Sequence, residues 1–353
     1  MARPRPDLDR GCELHARAQS LRDAGQPLRA RRLCVGALIL LRRALGQRHP
    51  DVANVLLELA GTYSDRGESQ TALLHGQQAL ACLGRSRGRD VDRLRLAALT
   101  LIGELLLAHG RYREALAPWR RAVTVARRMG PVELGGSLNG LGVVQRHLGR
   151  LDAAESLYRQ ALVQIRRARP VSPLQLASLY HNLGGLEHAR ERHARGVPLA
   201  RRAVAARIAA LGPGHVDVAA DRAALASLLV GCGRLAEAAT LYRQALTVFR
   251  RRLGEAHFEV GFNLGNLAAL EHQRGRHTAA ARLYRRALAI QDAAAASHPQ
   301  LALLLANFAA LRREQGREAE ALALLRRAAS IYARALGPRH PDTLAARRSI
   351  ADA

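Results

Sequence analysis

The residues of this sequence that could carry out acid–base chemistry are glutamates that directly precede histidines. Glu187 precedes His188 and Glu271 precedes His272, so a carboxylate and an imidazole stand side by side twice. Both pairs occupy the same position of a repeated segment, and structural repetition explains them better than catalysis. No glycine-rich phosphate loop, nucleophile elbow or H-E-x-x-H motif is present. The sequence therefore predicts a protein that is not an enzyme.

The cysteines and histidines do not have the spacing of a metal site. The four cysteines are scattered, without a C-x-x-C pair, at Cys12, Cys34, Cys82 and Cys232. We interpret them as reduced residues of the core or surface. Several histidines recur in the turns between repeats, where the stacking distance separates equivalent positions. We expect no metal ion and no cofactor.

All 55 basic side chains are arginine, and with 29 acidic residues they give a formal charge of +26. Such a charge predicts weak, salt-sensitive binding to polyanions. RNA or DNA binding through the arginine-rich surface is therefore an alternative function. Base stacking, however, needs exposed aromatic side chains, and the few aromatic residues of this sequence fall in expected core positions.

The sequence contains no segment that we expect to cross a membrane or to direct secretion. The longest apolar run, residues 35–41, is far shorter than the roughly 20 residues that span a bilayer. Residues 1–11 are rich in arginine, proline and aspartate, unlike a signal peptide. We expect a cytoplasmic protein without a membrane partner.

An internal repeat defines the elements that hold these residues. A turn glycine recurs every 39 to 43 residues, and Glu191 takes its place once. The glycines are Gly25, Gly67, Gly110, Gly149, Gly233, Gly275 and Gly316. A helix precedes each turn and a second helix follows it, because the glycine supplies the left-handed conformation that ends a helix.

Small residues recur in the second helix of every repeat. An alanine stands twelve residues after each turn position, and an alanine or Gly196 stands five residues after it. Residues seven apart share one helix face, so we expect close approach of neighbouring helices there. Between the two small residues, five repeats carry a large one: Trp119, Tyr158, Tyr242, Tyr284 and Leu325.

The connections between repeats share a pattern as well. Gly and Pro end one helix, a histidine follows, and an acidic residue often begins the next helix, as in LGQRHPD from Leu45 and LGPRHPD from Leu336. The histidines are His49, His215, His257, His298 and His340. We interpret these five as turn residues.

These motifs resemble the tetratricopeptide repeat family, in its long form of about 42 residues found in kinesin light chains and many bacterial proteins. The resemblance implies an all-α, right-handed superhelical solenoid of about eight helix-turn-helix repeats plus a C-terminal capping helix. We expect a flexible basic segment over residues 1–11 and a capping helix over residues 343–353. The repeats are expected at about residues 12–51, 52–92, 93–133, 134–173, 174–217, 218–259, 260–300 and 301–342.

The fifth repeat departs most from the pattern. Glu191 replaces its turn glycine, which predicts a local irregularity between there and Pro198. Glu187 and Glu271 occupy a slot that is half buried in the family. We expect each to pair with an arginine across the interface between repeats.

The resemblance implies that first helices line a concave face that binds a peptide. The candidate peptide-binding residues are Asn139, Arg146, His181, Asn182, His188, Asn266, His272, Asn307 and Arg313. In peptide-binding relatives, an asparagine at the position of Asn182, Asn266 or Asn307 bonds the ligand backbone, and Arg146 or Arg313 would suit a carboxylate. The first three repeats present the acids Glu58, Asp65 and Glu104 instead.

We therefore expect a non-catalytic protein–protein interaction scaffold whose partner is a protein or peptide. Besides nucleic-acid binding, the sensor or regulatory part of a bacterial signalling system remains an alternative.

Overall fold

The computed structural model describes residues 6–295 and 298–352. Over these ranges the regular secondary structure is α-helical and comprises 17 helices. They are α1 Pro6–Asp23, α2 Pro27–Leu45, α3 Pro50–Ser64, α4 Ser69–Leu83, α5 Arg89–Ala108, α6 Tyr112–Ala126, α7 Pro131–His147, α8 Leu151–Arg167, α9 Pro173–Ala189, α10 His193–Leu211, α11 Val216–Gly231, α12 Leu235–Leu253, α13 Phe258–Gln273, α14 His277–Ala295, α15 Pro299–Glu314, α16 Glu318–Ala335 and α17 Pro341–Ala351.

These helices confirm the expected fold class, an all-α solenoid of helix-turn-helix repeats. Repeat one consists of α1 and α2, the pairs continue to α15 and α16 in repeat eight, and α17 follows as a single C-terminal helix. The flexible segment expected over residues 1–11 is wrong for residues 6–11, which begin α1. Gly11 is buried there against the Leu41 side chain, which would lie only 2.8 Å from a Cβ atom at this position. Residues 1–5 lie outside the described part.

The turn within each repeat has the predicted left-handed residue. The seven turn glycines have φ between 68° and 74°. At Gly149, the turn closes with hydrogen bonds from the glycine N–H to the Arg146 carbonyl (3.0 Å) and from the Arg150 N–H to the Gln145 carbonyl (2.9 Å). This pair of bonds satisfies carbonyl groups at the end of the first helix.

Glu191 adopts the same turn without glycine. Its φ is 58°, and the Arg192 N–H donates to the Glu187 carbonyl at 2.8 Å, as in the glycine turns. Helix α10 then continues through Pro198 as far as Leu211. The expected irregularity is therefore wrong, because the turn closes at Glu191 although a left-handed conformation is unfavourable for a residue with a side chain.

The five connecting histidines are helix N-caps. In each, Nδ1 accepts a hydrogen bond from the backbone N–H two residues later, at 3.2 to 3.3 Å. The imidazole thereby satisfies one of the N–H groups that have no partner inside the helix. The prediction that these are turn residues is confirmed, although Ala296 and Ser297, which precede His298, lie outside the described residues.

The small residues of the second helices lie in the core, as predicted. All the alanines five and twelve residues after the turn position are at most 1% exposed. The large residues between them pack on glycines of the first helices: a Cβ atom on Gly103 would lie 2.4 Å from Trp119 Nε1, and one on Gly142 would lie 2.5 Å from a ring carbon of Tyr158. Glycine is required at these two positions because the aromatic ring occupies the space of a side chain.

The chain divides into two compact units, residues 1–108 with 114–140, and residues 109–113 with 141–353. In the first unit, a core of leucine, valine and alanine includes the fully buried Leu41, Leu56 and Leu59. In the second, Tyr158, Tyr284 and Phe249 are among the largest buried side chains. The four cysteines are free thiols, and burial raises the pKa of Cys34 to about 12. None of the described helices combines the length and apolar character that crossing a bilayer requires.

Candidate functional site

The first helices of successive repeats in the second unit contact one another. Helix α9 contacts α11, α11 contacts α13, and α13 contacts α15, in addition to the contacts within each repeat. These helices therefore share a continuous face, which we call the first-helix face. Most of the predicted binding residues lie on it or at its edges.

Asn266 of α13 and Asn307 of α15 line one narrow cleft on this face, so the structure brings these two predicted residues together. Gln300 and Leu303 line the same cleft. Both asparagines are half-buried, whereas the apolar side chain of Leu303 is 46% exposed. Two amides that can each donate and accept therefore flank an accessible apolar side chain.

On one side, this cleft adjoins a cavity of about 460 Å³, since Asn307 lines both. His272, Glu314 and Tyr284 contribute to its wall. Nε2 of His272 lies 2.7 Å from Oε2 of Glu314. A third predicted residue, His272, is thereby placed beside the asparagine pair.

On the other side, Gln300 and Leu303 also line a larger cavity of about 720 Å³. Arg146 and His188, two further predicted residues, form part of its wall. The remaining lining residues include Tyr112, His147, Glu191, His193, Tyr332, His340 and Asp342. Five predicted residues, Arg146, His188, Asn266, His272 and Asn307, thus line three cavities of the second unit that share lining residues, which we call the connected cavities.

The larger cavity combines a permanent cation with neutral imidazoles. Tyr112 stacks on His147, with ring centroids 4.4 Å apart. Desolvation lowers the pKa of His147 well below its ordinary value and also lowers that of His340. Arg146 donates to His147 Nε2 at 3.1 Å, and its guanidinium also lies against the buried Tyr158 hydroxyl. The half-buried guanidinium thereby brings a positive charge to the cavity wall, which suits an anionic group such as a carboxylate.

His181, although predicted to bind a ligand, is engaged inside the protein. Its Nδ1 lies 2.7 Å from Oδ1 of Asp221, which is 2% exposed. Asp221 also accepts from Nε of Arg207 at 2.7 Å, and Arg207 donates to Ser178 at 3.3 Å. The imidazole therefore forms part of a network that links α9, α10 and α11.

Arg313 is engaged as well. One guanidinium nitrogen donates to the Ser349 carbonyl of α17 at 2.8 Å, and Nε lies 3.5 Å from Glu318. Asn182 is half-buried on α9 and has a partner within the protein. Asn139, also half-buried with a partner, belongs to the first unit. These three residues are not among those that line the connected cavities.

Two acids of the first unit share one arginine as their ion-pair partner. Nε of Arg22 lies 2.7 Å from Asp65 Oδ2, and its NH1 lies 3.5 Å from Glu58 Oε1. The first-helix positions of repeat two therefore carry less negative charge than their sequence indicates.

Glu271 has arginine partners, but not across a repeat interface as predicted. Arg276 lies 2.6 Å and Arg274 lies 3.5 Å from its carboxylate oxygens. Both follow Glu271 in the turn of the same repeat. That prediction is wrong because the turn itself brings these arginines back over the end of α13.

Sequence reasoning missed several residues of the connected cavities. Gln300 and Leu303 lie two turns and one turn before Asn307 in α15, and Tyr112 lies at the start of α6. The four-residue spacing from Leu303 to Asn307 is a signal that could have revealed Leu303, since such residues share a helix face. The ring of Tyr112 lies 6.5 Å, between centroids, from that of His298, the N-cap of α15, and the sequence pattern does not encode this long-range contact.

Models of the tetratricopeptide repeat family match most of the chain. One matches residues 11–84, 221–293 and 300–353, and two others match residues 176–217 and 137–170. No curated protein matches the chain.

Solved structures with similar folds include regulators crystallised with ligands. A Rap protein complexed with competence and sporulation factor is 12% identical, with a TM-score of 0.64 over 98% of this chain and 97% of that one. The Rap conjugation gene regulator of plasmid pLS20, in complex with the Phr* peptide, is 13% identical, with a TM-score of 0.63 over 94% and 95%. BtubC (BKLC) from P. vanneervenii is 26% identical over 65% of this chain and 94% of that one, with a TM-score of 0.49.

Proposed function

Because the chain belongs to the tetratricopeptide repeat family, we propose that it is a protein-interaction scaffold that binds a peptide segment along the connected cavities of its second unit. The ligand backbone bonds to Asn266 and Asn307, an apolar ligand side chain packs on Leu303, and a ligand carboxylate pairs with Arg146. The role is non-catalytic.

The two asparagine amides carry this proposal. Neither Asn266 nor Asn307 makes a hydrogen bond to another described residue, although both side chains are half-buried in one cleft. Asn263, one turn earlier on the same helix, is instead buried and donates to the Tyr242 carbonyl at 2.8 Å. A half-buried amide without a protein partner is suited to a peptide group, which offers one donor and one acceptor.

The apolar and charged neighbours favour a peptide over a small polar solute. Leu303 exposes nearly half of its side chain between the two cavities, where it can cover an apolar ligand residue. Arg146 lines the larger cavity at one end, where its positive charge suits a ligand carboxylate. The Rap regulator bound to the Phr* peptide has a similar fold, which also supports the proposal.

The proposal is tested with a phage-displayed library of short peptides that have free C-termini. Peptides enriched on the full chain are labelled and titrated against the unsubstituted protein and the variant N266A/N307A. Loss of two hydrogen-bonded amides is expected to weaken binding by at least about tenfold, since each such bond contributes about 1 kcal/mol. The matched control is Gln244→Ala, which removes an exposed amide from the second helix of repeat six.

Equal affinity of the unsubstituted protein and N266A/N307A for the selected peptides would place binding elsewhere. A second titration uses a mixed-sequence single-stranded RNA at two salt concentrations. Tight, steeply salt-dependent binding of RNA, combined with no enriched peptide, would favour the nucleic-acid alternative.

A further inference from the structure

Three side chains with metal-binding atoms meet where repeats seven and eight adjoin. His272 lies near the end of α13, His277 is the first residue of α14, and Glu314 is the last residue of α15. Nε2 of His272 lies 2.7 Å and Nε2 of His277 lies 3.7 Å from Oε2 of Glu314. Within the described ranges, these are the histidine, cysteine and acidic residues whose ligand atoms group within 4.8 Å of one another.

The spacing of these atoms fits zinc. Tetrahedral ligands that lie about 2.1 Å from Zn²⁺ are separated from one another by roughly 3.4 Å. The measured distances of 2.7 Å and 3.7 Å lie on either side of this value. Small changes in side-chain torsion therefore convert the hydrogen-bonded cluster into a coordination site.

The repeat geometry explains why the three residues meet. The residue two positions after one turn lies against the residue two positions before the next turn, as Tyr112 lies against His147. His277 and Glu314 stand in the same relationship, and His272 adds a second imidazole from the preceding helix. Helix ends fix all three residues, so the site is largely formed before a ligand arrives.

The arginines near Glu314 pair with other acids, which leaves its carboxylate to the two histidines. In a chain with 55 arginines, the nearby Arg274 and Arg276 pair with Glu271, and Arg313 lies near Glu318. The ion pairs of Glu314 within the described residues are with His272 and His277. A carboxylate that faces two imidazoles rather than a guanidinium can exchange its hydrogen bonds for a metal ion.

We propose that His272, His277 and Glu314 bind a divalent transition metal ion, zinc, with one coordination position open. His272 and Glu314 also line the cavity of about 460 Å³, so the open position faces the space that leads to Asn307. Water fills it in the unliganded protein, and a donor group from a bound partner can replace that water. Zinc binding requires these three side chains and is independent of the proposed peptide function.

The chain contains a matched control. His188 and His193 occupy the positions of His272 and His277 in repeat five, and their rings lie 5.1 Å apart. Gly231 stands where repeat eight has Glu314, and His193 packs directly against it. The same pair of histidines is therefore present without the carboxylate.

The test uses the full chain without a histidine tag, stripped of metal with a chelator and then titrated with Zn²⁺ against a chromophoric competitor. About one equivalent is expected to bind with an affinity that E314Q, H272A and H277A each reduce by at least about tenfold. The double variant H188A/H193A is expected to bind like the unsubstituted protein. Unchanged affinity in E314Q and H272A, or equal loss in H188A/H193A, would overturn the proposal.

Co²⁺ substitution distinguishes this site from binding by the free cysteines. Ligation by two imidazoles and a carboxylate gives visible d–d absorption without a thiolate charge-transfer band. A strong thiolate band that persists in H272A would assign the metal to cysteine instead and would also overturn the proposal. Far-UV circular dichroism of E314Q, whose side chain is 52% exposed in the original, checks that this variant folds. N266A/N307A should bind zinc normally, so failure of either proposal leaves the other intact.

Discussion

Arg207 of repeat five donates from Nε to Oδ2 of Asp221 in repeat six at 2.7 Å, and both side chains are buried. His181 lies 2.7 Å from the other carboxylate oxygen. The interface between these repeats is therefore joined by a charge network as well as by apolar packing. A buried arginine of this kind depends on its acid, because an uncompensated charge in the interior is costly.

Asp221→Ala should destabilise the protein by about 3–5 kcal/mol, since it leaves the buried Arg207 guanidinium without its main partner. Asp217 also lies near Arg207, at 3.4 Å, but it is 51% exposed. Asp217→Ala should therefore change the free energy of unfolding by less than about 1 kcal/mol. Chemical denaturation of both variants measures the difference, and equal effects would show that the Arg207–Asp221 pair is not the dominant contact.

Glu191→Gly should stabilise the protein by about 0.5–1 kcal/mol. The left-handed conformation at φ 58° costs a non-glycine residue about 1–2 kcal/mol, and glycine removes this cost. Part of the resulting stabilisation is lost because glycine has greater conformational freedom in the unfolded chain. The converse variant, Gly233→Ala, should destabilise by about 1 kcal/mol, although a Cβ atom there meets nothing within 4 Å. Melting temperatures that move in the same direction for both variants would contradict this explanation.

Gly142→Ala and Gly184→Ala should have opposite effects, although both glycines occupy the same repeat position. A Cβ atom on Gly142 would lie 2.5 Å from the buried Tyr158 ring, so overpacking should destabilise the protein by about 1–3 kcal/mol. This exceeds the stabilisation that alanine brings through its higher helix propensity. Repeat five has Ala200 at the position of Tyr158, and a Cβ atom on Gly184 makes ordinary contacts at 3.6 Å or more. Gly184→Ala should therefore stabilise by about 0.5–1 kcal/mol in thermal or chemical unfolding.

The free energy of unfolding should fall as the pH falls, because His298 is protonated more readily in the unfolded chain than in the folded protein. Its Nδ1 accepts from the Gln300 N–H, and desolvation, with a smaller contribution from His109, lowers the pKa of this buried imidazole from 6.5 to about 4. The unfolded chain thus binds more protons, so the stabilisation is complete above pH 6.5 and is lost as the pH falls toward about 4. The loss amounts to about 3 kcal/mol.

The variant H298N keeps a capping side chain without a titrating group, so its stability should depend less on pH over this range. The control H49N makes the same change at a cap that is 39% exposed, and so measures the effect of the His-to-Asn exchange itself. Melting temperatures of both variants and of the unsubstituted protein, measured from neutral to mildly acidic pH, test this prediction. A pH profile of H298N identical to that of the unsubstituted protein would exclude His298 as its source.

Sequence reasoning predicted the repeats, their turns and their buried alanines because these features depend on local backbone conformation. A left-handed turn needs glycine, and a close helix contact needs a small side chain, so both recur at a fixed interval. The capping histidines follow the same logic. Glu191 shows the limit of such rules, since the turn forms there without the residue that favours it.

The tertiary structure decided which polar residues are available to a ligand. His181 is bound by Asp221, 40 residues away, and Arg313 by the Ser349 carbonyl, 36 residues away, whereas Asn266 and Asn307 face a cleft without a described partner. Asp221 lies in the next repeat and Ser349 lies in α17, so the repeat pattern does not predict either partner. The sequence therefore determined the repeating fold and its core. Only the packing of particular side chains across repeats placed Arg146, Asn266 and Asn307 along cavities that share lining residues, and brought His272, His277 and Glu314 together.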